Sequence, residues 1–235
     1  VNHPRVKLYQ DSGVYPIKKG INLCVFSCID EKLWPNVAPV KGDINIAAFH
    51  GSVNGSETDT GWALDGDVDV SFFDDYDFAF LGDIHQCQFL DRDRRIAFPG
   101  SFTQQSYGEC AEKGFLLWKI RSRNDFDVDF HVIPATKPFV TVDWNCSIDT
   151  VVEKIKKLPA ESRLRIRTDE LMPQQEIKKL YAAIRATMSP SEIVFKNQHI
   201  FDAHKINVAD DSAVIKDDLR LPDTHIRLFD EFFNG

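Results

Sequence analysis

Three short apolar runs constrain this chain more than any other feature: "INLCVFSC" (21–28), "INIAAFH" (44–50) and "DFAFLG" (77–82). Each is nearly unbroken in apolar character and is followed within a few residues by turn-forming polar residues. A strand with one wet face must alternate, so continuous runs of this length predict strands covered on both faces, as in the sheets of α/β proteins. "RIAFPG" (95–100) and "GFLLWKI" (114–120) continue the series. "FDVDFHVI" (126–133) alternates instead, with Phe126, Val128, Phe130 and Val132 facing one way and Asp127, Asp129 and His131 the other. That pattern predicts a strand with one wet face.

The texture changes at "IPATKPF" (133–139), where two prolines mark a boundary. Beyond it "FVTVDW" reads as a strand. "SIDTVVEKIKKL" then places Ile148, Val151, Val152, Ile155 and Leu158 on one helical face behind a capping Ser147. "RLRIRT" is a short strand. "PQQEIKKLYAAIRATM" is a helix opened by Pro173, with Ile177, Leu180, Tyr181 and Ile184 on its apolar stripe. "EIVFK" closes a β-α-β-α-β unit, which predicts a small α+β domain with helices on one side of a sheet. "PDTHIRLFDEFF" reads as a short helix burying Ile226, Phe229 and Phe233. The expected division is a first domain over 1–137, a second over 138–200 and a carboxyl-terminal tail over 201–235.

Composition narrows the function classes. Five cysteines in 235 residues are odd in number and form no pair of C-x-x-C units, so free thiols and a reducing compartment are expected, with Cys24 and Cys28 in the core. No apolar run approaches a membrane span, and "VNHPRVKLYQ" has no signal-peptide pattern. It also opens without Met, which predicts a fragment or a processed piece. The net charge of −8 argues against broad attraction to nucleic acid or anionic membrane. Residues 138–200 are the exception, with 10 basic against 8 acidic residues. Lys154, Lys156, Lys157, Arg163, Arg165 and Arg167 crowd together there. On charge alone they read as a solvated helix and strand face.

The chemistry-bearing residues sit where buried strands end. "INIAAF" ends in His50-Gly51, and "DFAFL" ends in Gly82-Asp83-Ile84-His85. In α/β folds ligands gather at carboxyl strand ends. Adjacent strands would bring His50, Asp83 and His85 to one rim, and an extended backbone would aim residues 83 and 85 to the same side. Imidazole and carboxylate together suit Mn, Fe or Zn. Taken singly, each of these residues reads as an ordinary surface group, and "PGS" (99–101) as a turn.

Taken in order, "HG" and then "DYDFAFLGDIHQCQFLDRDRRIAFPGSFTQQSYGECAEKGFLLWKI" resemble the carboxyl half of the calcineurin-like metallophosphoesterases. The resemblance is strongest to the SbcD-type DNA repair nucleases, including bacteriophage recombination exonucleases. That family carries a strand ending in His, a D-Y-x-x-L-G-H-x-H motif, a Y-P-G-S turn and a K-G-F strand. The match runs through residues 44–120 and more loosely over 20–200. It implies the carboxyl half of a metallophosphoesterase β-sandwich with flanking helices, followed by a capping domain that contacts DNA.

Carried over by position, His50 and Asp83 match ligands of the second metal, and His85 matches a ligand of the first. Asp83 departs from the family's His. Ser101 matches the turn near the site, in a structural or phosphate-positioning role. The resemblance also turns Lys154, Lys156, Lys157, Arg163, Arg165 and Arg167 into candidate phosphate contacts. The family's amino-terminal motifs, D-x-H, G-D and G-N-H-D/E, do not occur here, and "VNHP" (1–4) does not replace them. They hold the remaining ligands and the histidine that assists the leaving group. The sequence is therefore expected to be truncated, or a companion polypeptide supplies the front half.

What the resemblance implies for a whole enzyme is two-metal hydrolysis of DNA phosphodiesters, with Mn first and Mg or Fe as alternatives. It also implies an SbcC-type ATPase partner, a homodimer, no membrane, and the cytoplasm of a bacterial or phage-infected cell near the nucleoid. The isolated chain, with three ligands, is expected to bind metal weakly and to be inactive. Two other readings stand beside this one: a non-catalytic DNA-binding or assembly module, and a phosphoesterase acting on other substrates.

Overall fold

The computed structural model describes residues 6–145 and 147–197; the tail over 201–235, with its expected helix, and Cys146 lie outside the described residues. The fold is mixed α/β, with sheets and few helices. It divides into two compact units, Val1–Phe139 and Val140–Gly235.

The first unit is built on a six-stranded sheet. Its strands are β1 (Gly13–Lys18), β2 (Ile21–Phe26), β3 (Ile44–His50), β4 (Phe78–Gly82), β5 (Gln88–Phe89) and β6 (Ile96–Phe98), in the order β1-β2-β3-β4-β6-β5. The central pairs β2–β3, β3–β4 and β4–β6 are parallel, and the edge pairs β1–β2 and β5–β6 are antiparallel. This explains the continuous apolar runs, because both faces of the central strands are covered. Ala47, Phe49, Ala79 and Leu81 pack into one cluster with Phe26, Phe73 and Phe98. On the opposite face lies the hairpin of β7 (Gly114–Ser122) and β8 (Asp125–Val132). Trp118 sits against Phe78, Phe80 and Phe89, with ring centroids 5.7, 5.0 and 6.3 Å away, and Phe126 meets Phe78 at 4.9 Å.

Four details differ from the sequence expectation. Among the described residues the first unit has no α-helix; two 3-10 segments, Glu31–Asn36 and Val70–Phe73, stand where flanking helices are implied. Pro35 interrupts the first segment, and the chain over 51–69 is rich in Gly, Ser, Thr and Asp without a helical apolar period. Cys24 is buried as expected, but Cys28 is exposed, because β2 ends at Phe26 and leaves it beyond the sheet. Cys24, Cys28, Cys87 and Cys110 are free thiols. Val132 is exposed although its alternation points it inward, since its partner across the hairpin is Gly114, which offers no side chain. Asp83 is not extended but has a positive φ.

In the second unit, β9 (Phe139–Asp143), α1 (Ile148–Ile155), β10 (Arg163–Thr168), α2 (Gln174–Thr187) and β11 (Glu192–Asn197) follow one another. The sheet order is β11-β10-β9, and β10 and β11 are parallel. Ser147 caps α1 by accepting a hydrogen bond from the Thr150 amide at 3.3 Å. Val151, Ile155, Leu180 and Ile184 close over Leu164 and Ile166, so both helices cover one face of the sheet. Among the described residues no helix is long and apolar enough to cross a membrane.

Phe78 joins the two layers of the first unit and is 1% exposed. Replacing it with Ala should cost about 3–5 kcal/mol through lost burial and the cavity left behind. Denaturant unfolding followed by tryptophan emission would measure this, and a loss below about 1 kcal/mol would remove Phe78 from the joint.

Candidate functional site

β3 and β4 lie in parallel register with His50 beside Gly82. The alternation of β3 puts His50 on the same face as Ile46 and Ala48, at the end where the sheet stops. A Cβ at position 82 would stand 3.0 Å from Cδ2 of the His50 ring, so glycine lets the imidazole lie close over the backbone. Past Gly82 the chain turns sharply. Asp83 has φ +100°, a conformation that costs about 1–3 kcal/mol for a residue with a Cβ. The turn drops Ile84 into the core cluster and leaves Asp83 exposed. The expected extended route from 83 to 85 is therefore replaced by a left-handed turn, driven by the burial of Ile84.

Convergence is nonetheless achieved. His50, Asp83, His85 and Ser101 line one open cavity of about 390 Å³, together with Phe102 and Gln105. The "PGS" turn fits against the same segment. Gly100 has φ +78°, and a Cβ there would come within 2.8 Å of the His85 carbonyl oxygen. The Ser101 amide donates to that carbonyl at 3.3 Å, and the Ser101 hydroxyl donates to the Thr103 carbonyl at 3.0 Å. Ser101 is thus engaged structurally at the rim of the cavity.

Behind His85 is a charge cluster that motif spacing did not single out. Lys113, whose side chain is 3% exposed, donates to Asp59 Oδ2 at 2.9 Å and to the His85 carbonyl at 2.9 Å, and pairs with Glu109 Oε2 at 3.1 Å. Glu109 Oε1 lies 3.4 Å from His85 Nδ1. The amides of Gln105 and Cys110 donate to Glu109 and Asp59 at 3.0 and 3.2 Å. Burial opposes ionisation of Asp59, but the hydrogen bonds from Lys113 and Cys110 outweigh it and hold the carboxyl below its usual range. Glu109 is held low against the same burial by Gln105, Lys113 and His85. Lys113 is pushed up: burial works the other way, and the two carboxylates prevail. The only local signal was "GECAEKGF", with Glu109 four residues ahead of Lys113; Asp59 arrives from a distant loop.

Two imidazoles and a carboxylate are donors that suit Mn, Fe or Zn. Among the described residues, however, no group of three or more His, Cys, Asp or Glu side chains is disposed to hold a metal ion. The donor types fit, and the described chain does not by itself close a coordination shell.

The second unit separates the six basic candidates. Arg163, Arg165 and Arg167 project from the sheet face opposite the helices, because Leu164 and Ile166 between them face the helical core. Register sets Glu192, Val194 and Lys196 of β11 beside them, which adds Lys196 to that face. Arg167 is held by Asp143 in two bonds, at 2.5 and 3.0 Å, and Arg165 donates to Thr141 Oγ1 at 3.0 Å. Lys154, Lys156 and Lys157 are exposed on the helical layer, where Lys156 pairs with Glu153 at 2.5 Å.

No family model matches the chain. It is 28% identical, over an alignment of 172 residues that covers 61% of this chain, to a protein of Acanthamoeba polyphaga mimivirus described as "Uncharacterized protein R555". The alignment covers 13% of that protein, so the chain spans a small part of the relative it matches.

Asp83→Gly should raise stability by about 1 kcal/mol, because glycine adopts positive φ without a steric cost. Thermal unfolding checks this. A loss of similar size would mean that the Asp83 side chain stabilises the fold and that its backbone is not strained.

Proposed function

We propose that this chain is part of a metal-dependent nuclease that hydrolyses DNA phosphodiesters, with the first unit carrying half of a two-metal site and the second contacting DNA. One observation supports this reading above the others: two parallel strand ends and a glycine turn, distant in sequence, bring His50, Asp83, His85 and Ser101 to one cavity. These are the positions at which the calcineurin-like pattern carries its carboxyl-terminal ligands and its turn.

His50, Asp83 and His85 would hold divalent ions, Mn foremost. Such ions bind the phosphate, lower the pKa of bound water and stabilise an in-line displacement. His50 is set by its contact over Gly82, and His85 by its carbonyl and ring contacts. Among the described residues three donors are fewer than two ions require, and in this reading a polypeptide bearing the amino-terminal motifs supplies the remainder. The arginine face of the second unit suits backbone phosphates, which fix position without reading sequence. An SbcC-type ATPase partner and a homodimer belong to the same proposal.

A second reading, a non-catalytic DNA-binding or assembly module, draws on Asp83 standing where the family carries a His and on the amino-terminal motifs that do not occur in this sequence. Nuclease assays with Mn separate the two. The chain alone should cleave DNA no faster than background, and a polypeptide bearing the D-x-H, G-D and G-N-H-D/E motifs should restore cleavage. Strong cleavage by the chain alone contradicts the incomplete site, and silence in both arms favours the second reading.

The DNA surface has its own test. Replacing Arg163, Arg165 and Arg167 with Ala should weaken oligonucleotide binding and flatten its log–log salt dependence by about 2 to 3 units. The loss should sit at the low end, because Arg165 and Arg167 are already engaged by Thr141 and Asp143. An unchanged slope would make the three arginines a solvated face.

A further inference from the structure

We propose that Glu109 and Lys113 are positioning residues for His85: Glu109 keeps the ring proton on Nδ1, which makes Nε2 the lone-pair nitrogen, and Lys113 fixes both partners. The value of this arrangement rests on the reading of His85 as a metal ligand, but the tautomer is a property of the chain itself.

An ammonium has three N–H donors, and Lys113 Nζ has three acceptors within 3.1 Å: Asp59 Oδ2, Glu109 Oε2 and the His85 carbonyl. Two of the three bear on His85, one through its backbone and one through the carboxylate beside its ring. A buried lysine needs such saturation, since an unpaired charge there would be strongly destabilising. Glu109 divides its oxygens in the same way. Oε2 takes Lys113 and the Gln105 amide, and Oε1 is left facing His85 Nδ1. A carboxylate has no proton to give, so a bond at that position requires Nδ1–H. A carboxylate on one ring nitrogen sets the tautomer and orientation of a ligating histidine and raises its basicity.

The cavities agree with this division. His85 stands between two of them. Glu109 and Asp59 line one, of about 260 Å³, and His50 and Ser101 line the other. The Nδ1 contact belongs to the Glu109 side, and Nε2 is the ring nitrogen left to act as a ligand. A purely structural ion cluster would need Lys113 and its carboxylates, but not a contact to the ring.

The test uses the full chain labelled with 15N-histidine, without metal and at a pH where His85 is neutral. Long-range 1H–15N correlation should show Nδ1–H for His85 in the wild type and in Glu109→Gln, whose amide oxygen still accepts. Glu109→Ala should move it toward Nε2–H, the form histidine prefers in water. Nε2–H in the wild type overturns the proposal without any variant, as does a tautomer unchanged by Glu109→Ala. Adding Mn afterwards separates the inference from the reading beneath it. A Glu109-dependent tautomer with no broadening at His85 even in millimolar Mn leaves the positioning intact and counts against the metal site. Broadening at His85 with a tautomer indifferent to Glu109 does the reverse.

Discussion

The pairing register of β3 against β4 is the constraint from which the rest of the first unit follows. Parallel pairing places His50 level with Gly82. A one-residue slip would send His50 to the opposite face and turn Ala47 and Phe49 out of the core, so burial of those residues fixes the position of the histidine. The absence of a side chain at position 82 then lets the imidazole close over the neighbouring strand end. Core packing and site geometry are thus set by the same register.

A second layer of order comes from charge. Lys113 draws the loop carrying Asp59, the segment carrying Glu109 and the backbone of His85 to one buried point. In a low-dielectric surrounding such a cluster holds only when every partner is present. The positive φ of Asp83 belongs to the same picture, because the turn carries the chain from a buried strand to a rim residue within three positions while Ile84 stays in the core. Strain of this kind persists where the surrounding structure over-determines it.

Much of this architecture was legible in the sequence, and for identifiable reasons. The unbroken apolar runs marked β3 and β4 as central strands because covering both faces removes the need to alternate. The stripes of α1 and α2 and the alternation of "RLRIRT" fixed the helical face and the arginine face of the second unit. His50, Asp83 and His85 were legible as a set because strand ends define a rim, whereas Ser101 joined them only through the resemblance. Local pattern could not show the turn at Asp83, which is forced by tertiary burial of Ile84. It also could not show the Lys113 cluster, whose Asp59 lies in a loop with no periodic signal. The implied flanking helices failed for the opposite reason: they came from resemblance, and the Gly-, Ser- and Asp-rich stretch over 51–69 has no helical period.

The central proposal is that the cavity bounded by His50, Asp83 and His85 receives divalent metal ions. Crystals of the chain soaked in millimolar Mn and measured at the manganese absorption edge test it most directly. The account predicts an anomalous peak in that cavity at bonding distance from a His50 or His85 ring nitrogen or from an Asp83 oxygen. A map with manganese only at other surface carboxylates, and both rings bound solely to protein or water, would contradict it.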